Sequence, residues 1–186
     1  AHAAGAGAEQ IADSLSRFQG VARRMQVYPD WNGITFIDDY AHHPTAVEAT
    51  LRTIRQMFPD RRIVCAYQAH QVSRIQTLRD EFAASFDHAD QVLLTPVFAA
   101  REKTEVAEAE RVHLARLMNE RGVSVSLLTS LDHLLATIQH AARPGEVWMT
   151  MGAGNIDSVL HRLTASQTEP RRNADRTGKW IQNESA

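Results

Sequence analysis

Two carboxylates, a phenol and two imidazoles stand within the six residues Asp38-Asp39-Tyr40-Ala41-His42-His43. A carboxylate in such a place accepts from ligand hydroxyls, such as a ribose diol, or holds a cation. It serves equally well as a helix cap or a turn partner. An imidazole stacks on a base or bridges a phosphate, and Tyr40 packs as readily as it binds. His42 and His43 are adjacent, so both do not easily face one ion. With no further histidine at metal spacing on a helix, no metal site is expected. A second cluster is His70-Gln71-Val72-Ser73-Arg74. If a helix starts at Ser73, its free N–H groups favour an anion. Arg74 then either clamps a carboxylate bidentately or is a helix surface charge. Arg101-Glu102-Lys103 reads as a solvated loop. Gly152-Ala153-Gly154-Asn155 lets a ligand approach backbone N–H groups. It is not a P-loop, because no Gly-Lys-Ser/Thr follows, and it lacks the third glycine of a dinucleotide fingerprint. No Gly-x-Ser-x-Gly and no His-Glu-x-x-His supports hydrolase chemistry.

These groups need elements to hold them. Apolar periodicity predicts a short helix over 9–18, ended by Gly20. A strand over 25–28 and a return strand over 34–38 flank a turn with Asn32-Gly33 at its end. Helices follow over 45–57, 73–86, 104–121 and 131–141, with a last one running through 163. Pro44 fits the first helical position, and Ser130 is a candidate cap. In the helix over 104–121, Val106, Val112, Leu114 and Leu117 are the expected inward positions. Strands are expected over 62–67, 91–95, 123–127 and 147–151. Strands of about five residues alternating with helices predict a three-layer Rossmann-like α/β domain. Its sheet is mostly parallel, about six-stranded, with an antiparallel N-terminal hairpin strand. Ligands in such folds bind beyond the carboxyl ends of the strands. That rule selects 38–44, 68–74, 96–103 and 152–155, the stretches where the polar and glycine-containing segments occur.

The chain has 186 residues, 44% of them hydrophobic, which fits one domain with a real core. A net charge of -2 and a pI near 6.5 give no electrostatic case for nucleic acid. No apolar run reaches a membrane span, and the Ala/Gly-rich start lacks the features of a signal peptide. Cys65 is the single cysteine. It sits in Ile63-Val64-Cys65-Ala66 and reads as core, which fits a cytoplasmic location. The chain has no initiator Met, as expected of a fragment. Residues 166–186 are polar and read as a disordered tail, in which Trp180 and Ile181 read first as part of an added chain end and second as a small docking anchor.

Asp38-Asp39-Tyr40-Ala41-His42-His43-Pro44-Thr45 resembles the signature that opens the C-terminal domain of Mur ligases, and is most similar to the UDP-N-acetylmuramate–L-alanine ligase branch and its murein-tripeptide ligase relative. Tyr67-Gln68-Ala69-His70-Gln71-Val72-Ser73-Arg74 resembles the family's Phe-Gln-Pro-His-Arg-Tyr-x-Arg block. Pro96-Val97-Phe98-Ala99-Ala100 is similar to its Val-Tyr-x-Ala segment. Gly152-Ala153-Gly154-Asn155-Ile156 resembles its closing Gly-Ala-Gly-Asp/Asn-Ile. Residues 18–25 look like the family's linker with Gly-Val-x-Arg-Arg. The resemblance runs from about residue 9 to residue 163.

The resemblance implies part of an ATP-dependent ligase of peptidoglycan precursor synthesis. Such an enzyme joins an amino acid to a UDP-muramoyl carboxylate through an acyl phosphate. Residues 1–20 would then be the end of a central ATPase domain and linker, and 21–165 the C-terminal domain. The UDP-sugar and ATPase domains would lie elsewhere in the same protein, with the phosphate cradle and the Mg2+ ligands. The fragment alone is expected to be inactive. By resemblance Arg23, Arg24, Asp39, His42 and His43 lie near the nucleotide. His70, Gln71 and Arg74 lie near the amino acid or UDP-muramoyl substrate. This chain departs from the family at Ala69, Gln71, Val72, Ile75 and Arg101-Glu102. Gln71 replaces an arginine, a charge-assisted clamp worth a few kcal/mol where buried. A Mur-like binding module with changed substrate or lost ligation is therefore a second reading. An unrelated flavodoxin-type or receiver-type domain is a third.

Overall fold

The computed structural model describes residues 5–18, 20–28, 30–98 and 103–168. Six strands form one sheet: β1 (Gln26–Val27), β2 (Thr35–Asp39), β3 (Ile63–Gln68), β4 (Gln91–Leu94), β5 (Ser124–Leu127) and β6 (Val147–Gly152). Their order is β1-β2-β6-β3-β4-β5, with β1 antiparallel to β2 and the other pairs parallel. The hairpin closes on Asn32-Gly33, with φ of 54° and 79°. Trp31 and Ile34 exchange both backbone hydrogen bonds across it. Two residues with positive φ match the twist of a hairpin, and the Asn-Gly pair supplies them.

The helices are α1 (Ala8–Ser16), α2 (Pro44–Met57), α3 (Val72–Thr77), α4 (Arg79–Ala84), α5 (Thr104–Glu120), α6 (Leu131–Ala141) and α7 (Ser158–Thr168). α2 to α7 cover the sheet on both sides. Leu51, Ile54, Phe82, Phe86, Leu114 and Met118 meet Ile63, Cys65, Tyr67 and Met149 on one face. Leu134, Ile138, Val159 and Leu163 meet Val64, Ala66 and Trp148 on the other. Every residue of β3 and β6 is buried, which explains their near-continuous apolar runs. Cys65 is core as expected, and burial pushes its thiol well above its ordinary range.

Several expectations are corrected. The helix expected over 73–86 is two, divided at Leu78, with φ -119° and ψ 36°. Thr77 Oγ1 donates to the Ser73 carbonyl, a back-bond that bends helices. In α5 Val106 and Val112 are exposed, and the buried stripe is Ala107, Arg111, Leu114, Ala115 and Met118. Arg111 takes a core position because its Nη1 donates to the Leu94 and Leu128 carbonyls, at 2.8 and 3.0 Å. The last helix runs past 163 to Thr168, so the start of the expected tail is helical. Trp180 and Ile181 lie outside the described residues, as do Ala99, Ala100, Arg101 and Glu102. The helix expected over 9–18 buries none of its residues, and Leu15 and Phe18 are exposed.

Candidate functional site

The carboxyl ends of β2, β6 and β3 are neighbours. The chain leaves β2 and β3 toward α2 and α3, and leaves β6 toward α7 on the opposite face. Adjacent strands whose continuations part to opposite faces open a crevice at their carboxyl ends.

At the end of β2 the two carboxylates do different work. Asp38 and Thr150 are register partners on β2 and β6. Asp38 is fully buried, and its Oδ1 accepts from Thr150 Oγ1 at 2.5 Å. Its Oδ2 lies 3.5 Å from Arg23 Nε. Burial is the largest influence and pushes the Asp38 carboxyl above its ordinary range, against the Thr150 hydrogen bond and the Arg23 charge. Asp39 accepts from the Met25 and Ala41 N–H groups, each at 2.8 Å. One hydrogen bond to each oxygen makes Asp39 the turn partner that ties the incoming chain to β2. His43 caps α2, its Nδ1 accepting from the Thr45 N–H at 3.4 Å ahead of Pro44. His42 is half-buried; its Nδ1 lies 2.9 Å from the Tyr40 carbonyl and its ring meets the Tyr40 ring edge-on.

Tyr40 also carries two guanidinium groups, Arg23 at 4.9 Å and Arg24 at 5.3 Å from its ring centroid. Arg23 reaches across the end of β6, donating to the Gly154 carbonyl at 3.0 Å and the Gly152 carbonyl at 2.6 Å. Arg24 is exposed, and among the described residues its guanidinium has no carboxylate partner.

The glycines of this loop are needed for contact rather than as an open cradle. A Cβ on Gly152, at φ 144°, would stand 2.3 Å from the Gln68 carbonyl oxygen; one on Gly154 would stand 2.2 Å from Gln68 Oε1 and 2.9 Å from Phe98 Cβ. Gln68 is buried at the end of β3, and its Nε2 donates to Asn155 Oδ1 at 3.1 Å. Beyond it the His70 ring stacks on Phe98 at 5.8 Å, and a parallel bridge joins the two residues. Gln71 starts α3 at a positive φ of 67°. Its Oε1 accepts from Arg74 Nη2 at 2.9 Å, and Arg74 Nη1 donates to the His42 carbonyl at 3.4 Å. Both acceptors are neutral, so among the described residues no carboxylate offsets the Arg74 charge. An open hollow of about 300 Å³ beside it is lined by Ser73, Arg74, Thr77 and Leu78.

The four loop stretches are therefore cross-linked. Arg74 joins the loop after β3 to that after β2, Gln68 joins it to the glycine loop, and His70 joins it to Phe98. His43 caps a helix and is exposed. Sequence reasoning singled out Asp38 but not its partner Thr150, and did not assign Gln68 or Arg111. A signal existed for Thr150, a polar residue in an otherwise apolar strand. Chemically, the edge presents two guanidinium groups without a carboxylate partner among the described residues, Arg24 and Arg74, suited to anions. Among the described residues no group of three or more His, Cys, Asp or Glu could hold a metal ion, and no helix is long and apolar enough to cross a membrane.

A model of the Mur ligase glutamate ligase domain matches residues 23–154. The UDP-N-acetylmuramate–L-alanine ligase of Nitratidesulfovibrio vulgaris is 36% identical over 164 residues, 88% of this chain and 36% of that protein. The one of Roseiflexus sp. is 43% identical over 147 residues, 79% of this chain and 31% of that protein. This chain thus spans about a third of the length of the curated relatives it matches. Among solved structures, a UDP-N-acetylmuramate–alanine ligase of Thermotoga maritima superposes with a TM-score of 0.70 at 24% identity, over 91% of this chain and 35% of that one. A murein peptide ligase of Psychrobacter arcticus gives 0.68 at 26% identity, over the same shares.

Proposed function

The chain belongs to the Mur ligase family, and we propose that it acts as the C-terminal domain of an ATP-dependent ligase joining an amino acid, L-alanine, to UDP-N-acetylmuramate in the cytoplasm. Residues 21–165 would be the domain, and 1–20 would lead from an ATPase domain of the same protein. The observation that carries this reading is the pair Arg24 and Arg74: two guanidinium groups without a carboxylate partner among the described residues, on loops at the carboxyl edge.

ATP, when bound, supplies the phosphoryl group that activates the muramoyl carboxyl. The residues present fit one part of that reaction. Arg24 would meet an anionic group of the nucleotide, beside Tyr40 and His42. Asp39 already accepts two backbone hydrogen bonds; a ribose hydroxyl would have to use a remaining lone pair. Arg74 would hold the carboxylate of the incoming amino acid, with Gln71 orienting its fork and His70 forming the neighbouring wall. Mg2+ would be held mainly by the ATPase domain. Closure of this edge over the reactants would exclude water and protect the acyl phosphate from hydrolysis.

Gln71 favours a second reading, in which the substrate differs or ligation is lost. ADP release by the protein carrying this chain, with UDP-N-acetylmuramate and a panel of amino acids and short peptides, decides between them. Release dependent on L-alanine supports the first. Release with another amine changes the substrate, and ATP binding without release under any condition supports a binding module.

A further inference from the structure

Arg23, at φ 58°, and Met25, at φ 46°, stand on either side of Arg24 in the left-handed region. Such backbone is strained for an L residue and persists only where the surroundings over-determine it. Here they do. Arg23 N–H donates to Gln26 Oε1 at 2.9 Å, and the Arg23 carbonyl accepts from Tyr40 N–H at 2.8 Å. Met25 N–H donates to Asp39 Oδ2 at 2.8 Å. The Arg23 guanidinium spans the carbonyls of Gly152 and Gly154, with Asp157 a further 3.6 Å ion-pair partner. On the N-terminal side α1 buries nothing, so the path of the segment is fixed by these bonds together with the Arg24 N–H to Val21 carbonyl bond, the packing of Met25 on the core and the pairing of β1 with β2.

We propose that Arg23 is a positioning residue: pinned to the glycine loop, it holds the strained segment in the one conformation that lays Arg24 across the Tyr40 ring. The consequence for nucleotide rests on the role given to Arg24 above. The restraint acts through the two carbonyls. Arg23 Nε and Asp38 Oδ2 face each other at 3.5 Å, and neither makes a hydrogen bond among the described residues. Charge alone therefore does not replace the guanidinium. A lysine, with one nitrogen, reaches one carbonyl and rescues in part.

Amide hydrogen exchange on the 186-residue chain tests the restraint without any assay of activity. In Arg23→Met the Met25 and Tyr40 amides are expected to exchange about tenfold faster or more, while Cys65 and Val92 in the sheet keep their protection. Arg23→Lys should fall between Arg23→Met and wild type. Unchanged exchange at Met25 and Tyr40 would overturn the proposal. In the ligation assay Arg23→Met and Arg24→Met should both raise KM for ATP, by about tenfold, and leave KM for the amino acid alone. Faster exchange with KM for ATP unmoved would reduce Arg23 to a structural clamp and overturn the positioning role. If no amine supports ligation, the functional reading fails, and exchange alone still decides whether Arg23 fixes the segment.

Discussion

The glycines at the end of β6 show what a single atom does at this edge. Adding a methyl group at Gly152 combines a left-handed φ with a backbone oxygen 2.3 Å away. At Gly154 the obstacle is the Gln68 amide, a side chain that is itself buried and bonded to Asn155. Gly122, at φ 89°, has nothing within 4 Å of an added Cβ, so only backbone strain of about 1–2 kcal/mol applies there. Urea denaturation should therefore rank the alanine variants with Gly152→Ala the most destabilised. Gly154→Ala should cost about 1–3 kcal/mol by overpacking, and should also perturb the His70–Phe98 stack. Gly122→Ala should leave that stack intact. A Gly154→Ala chain as stable as wild type would show that both Gln68 and Phe98 give way freely. The motif itself was legible in the sequence; its reason was not. Read alone, Gly-Ala-Gly-Asn suggests backbone open to a ligand, because the side chain that fills the space comes from β3, more than eighty residues earlier. For Asp39 the sequence left ligand acceptor and turn partner both open. Its position after a strand was visible, but not that the N–H of Met25 would occupy one of its oxygens.

At the scale of elements, patterning succeeded where burial is apolar and two-sided. β3 and β6 are buried at every position, and their apolar runs announced them. Ser130 announced α6, and its Oγ accepts from the His133 N–H at 3.0 Å; Ser130→Ala should cost about 1 kcal/mol in thermal or urea unfolding. Patterning failed in α5, because a core position is filled by a charged residue. Arg111 is buried and donates to the carbonyls of Leu94 and Leu128 at the ends of β4 and β5. Its charge is met by Glu108, at 2.8 and 2.5 Å. Arg111→Met keeps the apolar stem and removes the donors; the Leu94 carbonyl keeps the Leu128 N–H, while the Leu128 carbonyl loses its side-chain donor. The expected loss is on the order of 2–4 kcal/mol, larger than for Val112→Ala on the exposed side of the same helix. Equal losses in urea denaturation would mean that α5 is held by its apolar stripe alone. The division of α3 from α4 was equally hidden, since Leu78 fits a continuous helix and neither Gly nor Pro marks the break.

Across the whole molecule the two ends of the sheet use charge differently. At the carboxyl end Arg24 and Arg74 have no carboxylate partner among the described residues. At the amino end Arg61 donates to the Gly145 and Glu146 carbonyls and to Thr35 Oγ1, Arg62 pairs with Glu146, and Arg55 pairs with Asp90. The buried acid at the carboxyl end, Asp38, and the acid at the amino end, Glu146, are shifted in opposite directions, and their pH responses should differ in sign. Burial would raise the Glu146 carboxyl, but hydrogen bonds from Trp148 Nε1, Arg143 N–H and Arg62 outweigh it and hold the group below its ordinary range. A depressed carboxylate stabilises the fold above its unfolded pKa, about 4.3 for glutamate, and loses that contribution as pH falls through the folded value. Asp38 is raised, chiefly by burial. Its folded form keeps the proton to higher pH than the unfolded chain, so its contribution declines as pH rises from about 3.9 through the raised value. Chemical denaturation from pH 7 to pH 3 separates the two. The stability gap between wild type and Glu146→Gln should be widest at neutral pH and close below about pH 4. The comparison with Asp38→Asn should run the other way, with wild type gaining on the variant as pH falls from 7 toward about 4. Gaps that move together would mean that the Arg23 charge, and not burial, governs Asp38, and that the carboxyl end holds its buried acid as firmly ionised as the amino end does.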